Sequence, residues 1–282
     1  MRIANLLPAG YAEGYEPPAH LLPEGTSVEQ VMMKLPALPT SALDLAITEI
    51  AAVEAAIRAQ DAGCDAIFIN SVADYGLRAI RSAVRIPVVG AGQASMLLAC
   101  ALGDRFSIVS VLPPSLRECH DAQLRAYGLT ERCASMRFVT SAAEMAQIAE
   151  PDSWYVRMRT RRADMIERIG RHVQAAVDED GADVVILGCT CMVPITKDVQ
   201  AYTSAPIVDP LDAAYLQAEM LVRMGITHSP KRFRPADVPR GQVLRAIVAG
   251  AEEALAQQPA DAAQPCDDAC EILGATEVHA AV

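Results

Sequence analysis

Apolar positions along the chain alternate between two rhythms. Residues 42–60 (ALDLAITEIAAVEAAIRAQ) place them three and four apart, the spacing of an amphipathic helix. Gly63 closes that helix, and Asp65 leads into the unbroken apolar run Ala66-Ile67-Phe68-Ile69. The pattern continues with a helix at about 76–84, a strand at Ile86–Val89, a helix at 93–102 stopped by Gly103, and a strand at Phe106–Val111 bounded by Pro113-Pro114. A long helix at roughly 155–178, closed by Asp180-Gly181, precedes the strand Asp183–Leu187. A strand at Ile207–Val208 and a helix at about 211–224 follow, then a Pro- and Arg-rich extended stretch from Thr227 to Arg240 and a last helix at about 241–257. The opening MRIANLLPAGYAEG reads as a first strand, because Asn5, Pro8 and Gly10 interrupt its apolar run too early for a signal peptide.

Helix and buried strand in alternation predict parallel α/β sheets, and the chain repeats the plan. GCDAIFINS (63–71) and GADVVILGC (181–189) both read Gly-x-Asp, an apolar run, and then a small nucleophile-type side chain, Ser71 or Cys189, at the strand's carboxyl end. Ligands of open α/β sheets bind at those ends. The fold class expected is therefore α/β, with two pseudo-symmetric domains of parallel sheet and an active-site cleft between them. The expected boundaries are residues 1–113 plus 207–228 for the first domain and 114–206 for the second. A C-terminal extension with a helix is expected at 229–258 and a weakly ordered acidic tail at 259–282.

Composition narrows the chemistry. The 282 residues are 52% hydrophobic and 21% charged, which excludes general disorder. Against 35 Asp and Glu stand 24 Lys and Arg, a net charge of −11, which argues against nucleic acid and anionic membrane surfaces and leaves a small-molecule substrate. Five of the acidic residues lie in 259–282, where there is no Lys or Arg, so part of the acidity belongs to the tail. No apolar stretch approaches the roughly 20 residues of a membrane span. Eight cysteines are too sparse for a disulfide framework in a chain this long, so a reducing cytoplasm is the expected compartment.

The sharpest local signal is Leu187-Gly188-Cys189-Thr190-Cys191-Met192, a strand running through a Gly-Cys-Thr turn into a helical segment. A thiol at a helix N-terminus meets backbone N–H groups and the positive end of the dipole, which lower its pKa from about 8.5 toward neutrality. The same pattern also fits a small buried cysteine that merely ends a strand. Zinc at Cys189-x-Cys191 lacks the usual spacing and the nearby His partners, so no metal is expected. Gly90-Ala91-Gly92 lacks the third glycine and the later acidic partner of a dinucleotide fingerprint, and reads as a tight turn close to substrate, which brings Gly92 into the candidate binding set. Ser95 and Thr190 are candidate donors to a substrate carboxylate, with helix capping as the competing role. Cys64, Cys100 and Cys119 read as core or helix-surface residues, and Cys266 and Cys270 as free thiols in the tail.

GCDAIFINSVADYGL, IPVVGAGQASMLLACALGDRFSIVSVLPPS, RAYGLTERCASMR, EDGADVVILGCTCM and PIVDPLDAA together resemble the aspartate/glutamate racemase superfamily, and within it the hydantoin racemase branch, over about residues 40–226. The resemblance implies two Rossmann-like domains, no cofactor, a cysteine from each domain and assembly as a homo-oligomer. Two thiols serve because inverting a stereocentre through a carbanion takes one group to remove a proton from one face and another to return it on the opposite face. Cys189 matches the family's second cysteine. Ser71 falls where the first is expected, since Ile69 through Leu77 aligns on the family's strand-end motif without a gap.

A serine hydroxyl is a far weaker acid than a thiol, and three outcomes follow. Ser71 serves as proton donor or relay in an asymmetric racemase; or Cys189 works alone, as in arylmalonate decarboxylases; or the lone thiol supports a lyase or desulfurising step on a hydantoin-type ring. A non-catalytic binding protein on this fold is a further reading. The family's Asn-Pro-Asn element survives only as Pro8, Gln93 stands where many relatives carry Glu, and Cys191 replaces a small residue or His. The expected function is a cofactor-independent racemase acting next to a carbonyl in a hydantoin-like or amino-acid-derived substrate. Cys189 and Ser71 are its catalytic pair. Backbone N–H groups following each, including Val72 beside Asn70 and Thr190 after Cys189, face a developing enolate oxygen.

Overall fold

The computed structural model describes residues 1–9, 14–36, 41–235 and 240–257; Cys266 and Cys270 lie outside them. The chain opens with β1 (Arg2–Ala9) and β2 (Ser27–Pro36). Ser41 starts α1 (Ala42–Asp61) through a capping box: its side chain accepts the Asp44 N–H while the Asp44 carboxylate accepts the Ser41 N–H, an arrangement that contributes about 1 kcal/mol. The helix turns Ala51, Ala52, Ala55, Ala56 and Ala59 inward. β3 (Ala66–Ile69), α2 (Leu77–Ala83), β4 (Val88–Gly90) and α3 (Ala91–Leu102) follow. The first sheet is parallel throughout in the order β2-β1-β3-β4.

A second sheet repeats that order. β5 (Phe106–Ser110), α4 (Arg117–Tyr127), β6 (Cys133–Phe138), α5 (Ala142–Ala146), α6 (Trp154–Arg159), α7 (Ala163–Asp178), β7 (Val184–Leu187), α8 (Thr196–Gln200) and β8 (Ile207–Val208) build the parallel sheet β6-β5-β7-β8. The chain then returns through α9 (Pro210–Arg223) to pack on β1, β3 and β4, and through α10 (Gly241–Ala256) to pack on α1 and β2.

Two α/β units result, Met1–Ser95 with Pro210–Ala256, and Met96–Asp209. The expected boundary at residue 113 moves back to 95, because β5 pairs with β6 and β7 rather than with the first sheet. The helix expected in a separate extension belongs to the first unit, which buries its Val248 completely. The single helix expected over 155–178 is two: Arg161 adopts φ 55, a left-handed conformation that ends α6, and Arg162 starts α7. Cys133 opens β6. Among the described residues no helix is long and apolar enough to cross a membrane.

Candidate functional site

The two units repeat hydrogen bond by hydrogen bond up to the candidate residues. At the start of each inner strand the N–H of Asp65 donates to Arg2 O (2.7 Å) and that of Asp183 to Arg105 O (2.9 Å). Each of these aspartates turns its carboxylate back on the partner strand, Asp65 to the Arg2 N–H (2.7 Å) and Asp183 to the Arg105 N–H (2.9 Å). One residue into each strand, Ile67 N–H donates to Pro87 O (2.9 Å) and Val185 N–H to Pro206 O (3.0 Å). At the carboxyl ends Leu6 faces Ile69 and Val109 faces Leu187, with Asn70 N–H donating to Leu6 O (2.9 Å) and Gly188 N–H to Val109 O (2.8 Å). The next residue in each is Ser71 or Cys189. The two side chains therefore hold equivalent places at the strand ends, where open α/β sheets present ligand groups.

Past that point each chain folds back over its own side chain. The Ala73 N–H donates to Ser71 Oγ at 3.1 Å, and the Cys191 N–H to Cys189 Sγ at 3.4 Å. Ser71, Asn70 and Val72 are buried, whereas Cys189, Thr190 and Cys191 are partly exposed. Among the described residues of its own unit, no histidine, lysine or carboxylate side chain hydrogen-bonds the Ser71 hydroxyl.

Cys189 differs from the expected free thiol, because its sulfur is paired with that of Cys191 as a disulfide. Cys191 accordingly belongs with Cys189 as its sulfur partner. The segment after Cys189 is also not an α-helix: it is a short 3-10 turn, Thr190–Ile195, running into α8, with Cys189 as its cap. The dipole anticipated for the thiol shrinks with it, since the macrodipole sums over aligned peptide units. Gly188 precedes the thiol because a Cβ there would stand 2.7 Å from Ser110 Cβ and 2.8 Å from Ile108 Cγ2.

On the first unit the loop after Ser71 is fixed by a residue to which sequence reading gave no role. Asp74 is 6% exposed and adopts φ 52, and its carboxylate accepts the Gly92 and Gln93 N–H groups, each at 2.8 Å, at the first turn of α3. Gly90 is obligatory beneath it, since a Cβ would stand 2.2 Å from the Asp74 oxygen. Asp-x-Gly at a strand-to-helix turn was the available signal, as Asp and Asn tolerate the left-handed region better than other side chains.

The structure thus reassigns part of the expected binding set. Backbone donors of Gly92 and Gln93 are spent on Asp74, and the Gln93 side-chain oxygen accepts from Arg81 at 2.8 Å. Ser95 is fully buried and donates to Ala91 O at 2.6 Å, an in-helix bond that replaces its expected role as a substrate donor. Pro8 lies beyond the last β1–β3 pair, at the register shift between Leu7 and Ala9, where a residue without an N–H costs the ladder nothing. Asn70, Ser71, Val72 and Pro8 lie together at the carboxyl end of the first sheet, and Cys189, Thr190 and Cys191 at that of the second.

Residues 18–218 match the Asp/Glu/hydantoin racemase family. A hydantoin racemase of Paenarthrobacter aurescens is 29% identical over 191 residues, 67% of this chain and 75% of its own. One of Rhizobium meliloti is 30% identical over 167 residues, 59% of this chain and 64% of its own. The crystal structure of allantoin racemase from Pseudomonas fluorescens superimposes with a TM-score of 0.68 at 25% identity, covering 84% of this chain and 99% of that one.

Proposed function

The chain belongs to the Asp/Glu/hydantoin racemase family, and from that premise we propose that it racemises a 5-substituted hydantoin or a closely related cyclic ureide, without a cofactor. The observation that carries the assignment of residues is the equivalence of Ser71 and Cys189, each one residue beyond the hydrogen bond that closes its inner strand on the neighbouring one. The ring carbon between a carbonyl and a ring nitrogen loses its proton to leave a carbanion that spreads into the carbonyl as an enolate. Cys189, reduced to the thiol, exchanges the proton on one face. Ser71 is the hydroxyl assigned to the other, and because a hydroxyl is a far weaker acid than a thiol, that half-reaction is the slow one. Thr190 and Val72 N–H groups are the donors assigned to the enolate oxygen.

Single enantiomers of a substituted hydantoin, incubated with reduced enzyme in deuterated water, test the proposal. Racemisation brings solvent deuterium onto carbon together with loss of optical rotation. Deuterium incorporation with retained configuration assigns Cys189 to one-sided protonation and overturns the role of Ser71. Absence of exchange on hydantoins and allantoin alike overturns the substrate class.

A further inference from the structure

The resemblance and the fold account for a cysteine at position 189 but not for the second sulfur beside it. Cys191 occupies the place that Ala73 holds in the first unit, the residue whose N–H folds back over the strand-end side chain. The backbone therefore brings residue 191 over residue 189 whatever its side chain, and here that side chain is a thiol. Their Cα atoms are 5.3 Å apart, inside the range of roughly 4.4–6.8 Å that disulfides span, and the sulfurs are paired. We propose that Cys189 and Cys191 form a reversible oxidation site, in which Cys191 captures oxidised Cys189 as an intramolecular disulfide.

The chemistry balances with a hydroperoxide as oxidant. The Cys189 thiolate attacks the terminal peroxide oxygen, the O–O bond breaks, and the sulfur becomes a sulfenic acid while the peroxide leaves as water or an alcohol. The Cys191 thiolate then attacks that sulfur, the S–O bond breaks, and hydroxide leaves with a proton as a second water. A dithiol reverses the pairing by exchange through a mixed disulfide, returning both protons to the cysteines. Partial exposure admits a small peroxide to this pair. Three of the free described cysteines are poorer targets: burial pushes the thiols of Cys64, Cys119 and Cys133 up, that of Cys133 to about 11, which keeps them protonated and slow to oxidise. Cys191 thereby diverts Cys189 from the irreversible sulfinic and sulfonic acids. If Cys189 is the acid–base thiol proposed above, pairing also stops turnover, because a disulfide sulfur neither carries nor accepts the proton.

The test uses the full chain, reduced with dithiothreitol, freed of it, treated with a molar excess of hydrogen peroxide and alkylated. The tryptic peptide 172–197 contains both residues and no other cysteine. In the wild type it is expected to escape alkylation and weigh two hydrogens less than the reduced form, and to recover both labelling sites after dithiothreitol. In Cys191→Ala, Cys189 is expected to gain two or three oxygens that dithiothreitol does not remove. Two alkylated thiols after peroxide, a bond from Cys189 to any other cysteine, or full recovery of Cys189 in Cys191→Ala overturns the proposal. Racemisation, followed in the same samples relative to each variant's own reduced form, is expected to fall about 100-fold or more with the disulfide and return with its reduction. Undiminished turnover in the disulfide form overturns the inhibitory consequence. If reduced protein never turns over, the proposed reaction fails, while the mass of the peptide still decides the oxidation site.

Discussion

The two strand ends show how one backbone plan is given two chemistries. Up to residues 70 and 188 the inner strands make matching bonds to their neighbours, and one residue later each folds back so that the N–H two positions on reaches the side chain. The first end then commits its polar groups to rigidity: Ser71 is buried, and Asp74 latches the loop to the first turn of α3. At the second end the loop carries instead an accessible pair of sulfurs on a 3-10 turn. Equivalent position fixes where a side chain is presented, and the residue type and its partners fix what it does there.

If the comparison is right, its two halves respond very differently to substitution. Cys189→Ala is expected to lower turnover on a hydantoin about 1,000-fold, within the range for losing a general acid–base group, with an unchanged circular dichroism spectrum. Ser71→Cys places thiols at both ends and is expected to raise turnover about tenfold, since a thiol ionises far more readily than a hydroxyl. A Ser71→Cys enzyme no faster than wild type, with Cys189→Ala still active, breaks the equivalence. Both are read from initial rates of loss of optical rotation.

The latch is the next largest effect and belongs to the first end alone. Asp74→Ala removes a carboxylate that accepts two backbone N–H groups, leaves those donors without a partner, and puts at φ 52 a residue that tolerates the left-handed region less well than aspartate. A loss of about 3 kcal/mol is expected, measured from the midpoint of urea unfolding. At the second end the corresponding constraint is steric. Gly188→Ala drives a methyl group into Ser110 and Ile108 and is expected to cost about 2 kcal/mol as an overpacking change. Asn70, its counterpart, already carries a side chain, so Asn70→Ala brings no such clash.

What could be read from the sequence divides along the same line. The inner strands and the Ser71/Cys189 parallel were legible because GCDAIFINS and GADVVILGC carry their apolar runs and turn residues locally. β2 escaped because it is a sheet edge with Met32 and Lys34 facing solvent and only Met33 and Leu35 buried toward its end, so its apolar signal is thin. β6 and α4 escaped for a related reason: no residue of the strand is fully buried, and the helix is mostly polar. The sheet to which β5 belongs is a matter of long-range pairing, which no local pattern encodes. Likewise Cys189 in Cys-x-Cys reads as a reactive thiol or as a buried residue ending a strand, and only the fold-back of the Cys191 N–H onto Cys189 selects a sulfur pair.

The smallest expected effect concerns how each unit answers acid. In the first, His228 Nε2 accepts the Val88 N–H at 2.7 Å at the start of β4, and burial, together with the Arg81 guanidinium, pushes its pKa down to about 4. An unfolded histidine takes up its proton near 6.5, so the contribution of neutral His228 is present above that pH and is lost as pH falls toward 4. The second unit carries its own neutral imidazoles, His120 and His172, both lowered chiefly by burial, so its loss runs in the same direction below pH 6.5. Glu144, held down to about 2 by its hydrogen bonds to Arg168, adds a later loss between about 4.5 and 2. His228→Gln offers an amide oxygen to the Val88 N–H but takes up no proton. Urea midpoints compared at pH 7 and pH 5 are therefore expected to fall less in this variant than in the wild type, and His120→Gln is expected to remove the second unit's share in the same way. An unchanged fall in His228→Gln means that the first unit's acid response lies in other groups.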